Sequence, residues 1–129
     1  MGFPAGIVGG VHTDADANEL AREWIAAWNS HNLDAILSHY REDVVLTSPV
    51  VAELLGDASG TLRGKTALRE YFTRGLAAHP NLRFELLDVM RGFSTVVVCY
   101  INHKGTKTAE FMELDGDGKV ARVVANYSV

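Results

Sequence analysis

The stretch Lys107-Thr108-Ala109-Glu110-Phe111-Met112-Glu113-Leu114-Asp115-Gly116-Asp117-Gly118-Lys119-Val120-Ala121-Arg122-Val123-Val124-Ala125-Asn126-Tyr127 reads as two β-strands folded on a tight turn. Thr108 to Leu114 carries strand formers, Asp115-Gly116-Asp117-Gly118 is a concentrated turn signal, and Lys119 to Tyr127 resumes with Val120, Val123 and Val124. Asp-Gly pairs suit positions where the backbone needs φ > 0, which glycine adopts without steric cost. Period-two alternation puts Glu110 on one face with Thr108, Met112 and Leu114. A carboxylate is least expected there, so Glu110 is the first candidate for chemistry. On the last strand, Val123, Ala125 and Tyr127 point inward, and Arg122, Val124 and Asn126 outward.

Upstream of this hairpin the chain alternates as well. Leu82 to Met90 reads as a strand, Arg91-Gly92-Phe93-Ser94 as a turn, and Thr95 to His103 as a strand apolar on both faces and so buried on both. Asn102 to Thr106 carries the next turn. Together with the hairpin these strands form a four-stranded meander.

The first half is helical. Thr13-Asp14-Ala15-Asp16 supplies N-cap candidates and early acids, and Leu20, Trp24, Ala27 and Trp28 recur at helical spacing, which predicts a helix over 14–29. Asn29-Ser30-His31-Asn32 breaks it, and Leu33 to Tyr40 makes a second, short helix. Val44 to Ser48 is a short strand stopped by Pro49. Residues 50–64 are the longest ambiguous segment: Val50 to Leu55 reads as a helical turn or a loop with an apolar underside, Gly56 to Gly60 reads as loop, and Gly64 precedes a new helix. A third helix runs from Lys65 to about Ala78, with Leu68, Tyr71, Phe72, Gly75 and Leu76 on one face, and His79-Pro80-Asn81 ends it.

A chain of 129 residues, 47% hydrophobic and 22% charged, fits one globular domain with a sizeable core. The expected division is a flexible arm over 1–13 and a single domain over 14–129. A net charge of −4 without a basic stripe argues against a nucleic-acid partner. No apolar run approaches the roughly 18 residues a membrane span needs, and Met1 to Gly10 lacks a basic leader, so a cytoplasmic location without membrane association is expected. The single cysteine, Cys99, lies in an apolar run and reads as a buried small hydrophobe. His12, His31, His39, His79 and His103 show no ligand spacing, and no Gly-rich phosphate loop follows a strand, so no metal and no cofactor is expected.

Helices first and antiparallel sheet last is an α+β layout, in which a curved sheet wraps around helices packed on one face. Trp24-Ile25-Ala26-Ala27-Trp28-Asn29 with Leu33-Asp34-Ala35-Ile36, then Tyr40-Arg41-Glu42-Asp43-Val44, then Gly64-Lys65-Thr66-Ala67-Leu68, closed by Leu114 to Val120, resembles the NTF2-like superfamily, particularly its SnoaL-like branch. The resemblance covers roughly Asp14 to Tyr127. It implies a cystatin-like, cone-shaped barrel of three N-terminal helices on a curved, mostly antiparallel sheet, with a deep pocket and homodimerisation through the sheet.

The ketosteroid isomerase type of that superfamily implies a set of polar positions. Its general base falls on Ser48, which is no proton acceptor of comparable basicity. Its oxyanion-hole tyrosine falls on Trp24, and one supporting tyrosine on Phe72. A second supporting tyrosine is retained as Tyr40, and the acidic oxyanion donor as Glu110. The isomerase mechanism proper is therefore not carried over. The expected catalytic pair is Glu110 and Tyr40. The expected pocket is lined by Trp24, Trp28, Ser48, Tyr71, Phe72, Tyr100, Asn102, Met112 and Tyr127. Glu53 is either part of a lid or a solvated charge, and Arg63 reads as a surface charge. Three functions fit: acid–base chemistry of isomerase, cyclase or dehydratase type on a small apolar or carbonyl-containing ligand; binding of such a ligand without turnover; or a homodimeric interaction domain.

Overall fold

A computed structural model describes residues 11–129. Most of the expected arm, residues 1–10, lies outside the described residues. Residues 11–13 belong to the folded domain: Val11 packs on the core, and Thr13 caps the first helix.

Helix α1, Asp14–Ser30, starts on a capping box. The Thr13 hydroxyl accepts the Asp16 N–H, and the Asp16 carboxylate accepts the Thr13 N–H. His31 ends it in the left-handed region at φ 60°. Its buried stripe holds Ala17, Leu20, Ala21, Trp24, Ile25, Ala27 and Trp28, as the spacing predicts. Helix α2, Leu33–Leu37, is shorter than expected. Tyr40 belongs to strand β1, Tyr40–Thr47, whose residues Tyr40, Val44 and Leu46 are buried. The apolar spacing from Leu33 to Tyr40 therefore serves two elements in turn.

The undecided segment resolves into two elements. Helix α3, Pro49–Leu55, has Ser48 as N-cap, proline in its first turn and Gly56 at φ 66° as C-cap. Strand β2, Thr61–Arg63, pairs antiparallel with β1, Leu46 facing Leu62. Helix α4, Lys65–Ala78, buries Leu68 and Phe72. Among the described residues four helices, rather than three, accompany the sheet.

Strands β3 (Glu85–Arg91), β4 (Thr95–Ile101), β5 (Lys107–Leu114) and β6 (Val120–Tyr127) form the expected antiparallel meander. Strand β1 joins it parallel to β6, with Leu46 opposite Val123, giving an open, curved six-stranded sheet of order β2-β1-β6-β5-β4-β3. Two strand expectations do not hold. Residues 82–84 are not strand, because their backbone bonds to the end of α1. Asn29 Nδ2 donates to the Phe84 carbonyl at 3.0 Å, its Oδ1 accepts the Phe84 N–H at 2.7 Å, and His31 Nε2 donates to the Leu82 carbonyl at 2.7 Å. In β4, Val96, Val98 and Tyr100 are buried under the helices, whereas Val97 and Ile101 stay half-exposed on the outer face. Cys99, between them on that outer face, is buried, so the inner face is covered fully and the outer face only in part.

Candidate functional site

The inner face of β5 carries Thr108, Glu110 and Met112, all buried. Register places Glu110 opposite Val98 on β4 and Thr108 opposite Tyr100, so Tyr100 is the diagonal neighbour of Glu110. The phenol uses that offset: Tyr100 Oη donates to Glu110 Oε1 at 2.8 Å. Glu110 is 8% exposed and is the only buried carboxylate among the described residues. Burial disfavours its charged form and raises the carboxyl to about 7, the Tyr100 hydrogen bond pulling the other way.

Aromatic rings enclose this acid from the helix side. Trp24 lies 5.4 Å from Tyr100 and 6.0 Å from Phe84, Phe84 lies 4.5 Å from Tyr100, and Trp28 meets Phe72 edge-on at 4.8 Å. Each such pair contributes on the order of 1 kcal/mol beyond its buried area. Trp24 Nε1 donates to Tyr40 Oη at 3.0 Å. Because that bond occupies the oxygen from one side, the Tyr40 hydrogen points away from Trp24.

All four tyrosines of the chain feel the Glu110 charge. Desolvation comes first for each. Tyr40 and Tyr100 are raised well above the ordinary phenol range, Tyr71 to about 12, and Tyr127 is raised as well. They therefore stay protonated at neutral pH and act as hydrogen-bond donors. A neutral-range acid ringed by phenol donors and aromatic faces can bind an oxygen and move a proton at it.

The sequence-selected residues divide. Glu110, Tyr40, Trp24, Trp28, Phe72 and Tyr100 form one cluster, with Tyr71 and Tyr127 half-buried and within reach of the Glu110 field; Met112 is fully buried next to Glu110 on β5. Ser48 is buried, but its hydroxyl accepts the Val50 N–H at 3.2 Å as the cap of α3 and also bears on Tyr127. Asn102 does not join the cluster. It lies beyond the end of β4, where its Oδ1 accepts the Lys104 and Thr106 N–H groups and builds the turn. Glu53 and Arg63 are exposed, and the Glu53 charge reaches Tyr127. Phe84 is the member that sequence reasoning missed. Its alternation with Leu82 and Leu86 was visible, but the clamp from Asn29 that sets the ring against Trp24 was not.

A separate shallow groove of about 320 Å³ lies between α1 and the β5–β6 turn, lined by Asp16, Glu19, Glu23, His39 and Lys119 among others. It shares no residue with the Glu110 cluster. Among the described residues, no three His, Cys, Asp or Glu side chains stand close enough to hold a metal ion, and no helix is long and apolar enough to cross a membrane.

Residues 21–129 match the SnoaL-like domain family. A SnoaL-like protein of unknown function from Burkholderia thailandensis is 38% identical, with a TM-score of 0.89 over 91% of this chain and 98% of that one. A protein from Agrobacterium tumefaciens, proposed to be an isomerase of the SnoaL-like family, is 14% identical, with a TM-score of 0.69 over 88% of this chain and 97% of that one. TerC, crystallised with polyporic acid, is 18% identical, with a TM-score of 0.70 over 87% of this chain and 91% of that one. None of the curated proteins matches the chain. Domain match, identity and fold agree: the chain belongs to the SnoaL-like family.

Proposed function

We propose that the chain is an acid–base enzyme acting on a small carbonyl compound, with Glu110 as its proton carrier and Tyr40 as a donor to the substrate oxygen. The observation that carries this reading is the buried Glu110 carboxyl, raised to about 7 and fixed by Tyr100 at 2.8 Å. At neutral pH such a group is present in both forms, so it takes a proton from one position and returns it to another. Ser48 is engaged as a helix cap and supplies no second base. One carboxyl then does both transfers, which suits isomerisation, cyclisation or dehydration beside a carbonyl. TerC, a structural relative crystallised with polyporic acid, is compatible with an oxygenated small molecule as ligand.

The test is α-proton exchange of 2-tetralone in D2O, followed by proton NMR. The chain is expected to accelerate exchange, and Glu110→Gln to lower the rate by about 10²-fold or more. Equal rates with and without the protein, or with and without Glu110, would remove the acid–base role. The same reading includes a homodimer formed through the outer sheet face. Across neighbouring strands Met90 pairs with Val97, Val97 with Phe111 and Phe111 with Val124, an apolar row that the chain's own helices leave uncovered.

A further inference from the structure

Among the described residues, one buried side-chain nitrogen or oxygen lacks a hydrogen-bond partner, and it is Trp28 Nε1. The ring is held firmly, edge-on to Phe72 at 4.8 Å and 5.6 Å from Phe84, and is only 8% exposed. Native interiors rarely leave such a donor unpaired, because the group forfeits its water bonds and gains nothing. One helical turn earlier, Trp24 spends its N–H on Tyr40 Oη at 3.0 Å. The Trp28 N–H bears on the same phenol oxygen without closing a bond to it. The two indoles therefore differ: Trp24 orients Tyr40, and Trp28 is left over beside it.

We propose that Trp28 is a ligand-contacting residue whose indole N–H, together with the Tyr40 hydroxyl, receives the carbonyl or enolate oxygen of the ligand on the helix side of the site. The inference rests on the acid–base reading above and names the group that holds the oxygen while Glu110 works from the sheet side. A carbonyl oxygen has two lone pairs, one for each donor. Negative charge gathering on that oxygen as an α-proton leaves strengthens both bonds, so the pair favours the enolate over the ketone. A hydrocarbon of the same shape leaves Trp28 unpaired and binds more weakly for that reason.

The chain has two tryptophans, so its ¹⁵N-labelled form shows two indole N–H resonances, and the one missing from Trp28→Phe is that of Trp28. On addition of 2-tetralone to the wild-type chain, the Trp28 proton is expected to move downfield while the Trp24 proton, already bonded, stays. The shape control 2-methyltetralin should leave the Trp28 proton unbonded. Trp28→Phe should weaken 2-tetralone binding about tenfold while sparing 2-methyltetralin. An unmoved Trp28 resonance at saturating 2-tetralone overturns the proposal. So does absence of 2-tetralone binding, or an equal loss for both probes in Trp28→Phe. If the resonance moves but α-proton exchange is indifferent to Glu110→Gln, the acid–base reading falls and the oxygen-holding role stands. If exchange needs Glu110 while the Trp28 resonance does not move, the oxygen-holding role falls alone.

Discussion

Tyr100 and Glu110 meet because an antiparallel register brings diagonal residues of one face together, and the aromatic layer above keeps water from the pair. The bond stabilises the ionised carboxylate against its burial, so its removal has a defined direction. Tyr100→Phe is expected to move the pH midpoint of α-proton exchange upward from its wild-type position near 7, and an unchanged or lowered midpoint would show that Glu110 does not govern the profile. Glu110 itself was legible in the sequence, because a carboxylate at an inward position of an alternating strand stands out. The pairing of Trp24 with Tyr40 was not, since a hydrogen bond across sixteen positions depends on how α1 lies over β1. Asn102 shows the opposite failure. It shares a parity with Tyr100, but the strand stops at Ile101, and past a strand end parity no longer fixes direction.

Among the elements, local chemistry settled most boundaries, and long-range bonds settled the rest. Ser48-Pro49 and Gly56 are the start and stop of α3, written in the sequence as a cap, a first-turn proline and a left-handed glycine. Residues 50–55 read equally as a helical turn or a loop with an apolar underside, because one short apolar run shows too few turns for helical spacing to stand out. The segment 82–84 alternates like a strand yet is held by Asn29 and His31, and nothing local announces that. Asn29 thus does for Phe84 what a neighbouring strand would do. Asn29→Ala is expected to lower stability by about 1–3 kcal/mol through two lost bonds to partly buried backbone, measured by urea unfolding. A loss below about 0.5 kcal/mol would mean that Phe84 is held by ring packing alone.

Across the described residues, helices pack on one face of an open six-stranded sheet, and the other face keeps an apolar row. The proposed dimer follows from that row. Light scattering coupled to size exclusion is expected to give twice the chain mass at micromolar concentration, and Phe111→Glu to give the single mass with the fold intact; a wild-type monomer would contradict it. The one-sided burial also sets how the whole fold responds to pH. Glu110 is raised from 4.5 to about 7, so below pH 4.5 it is neutral in both folded and unfolded chains and costs the fold nothing. As pH rises through that interval the unfolded chain ionises while the folded one holds its proton, and stability is lost until the folded carboxyl ionises near 7. At about 1.36 kcal/mol per pH unit the loss comes to roughly 3 kcal/mol, and Glu110→Gln escapes it. Other titrating groups are common to both proteins and cancel between them. The decisive measurement is therefore the unfolding free energy of the wild-type chain and of Glu110→Gln from pH 4 to pH 8. A buried Glu110 predicts that the wild type falls behind the variant by roughly 3 kcal/mol between pH 4.5 and about 7 and then levels off. Two parallel curves across that range would contradict it.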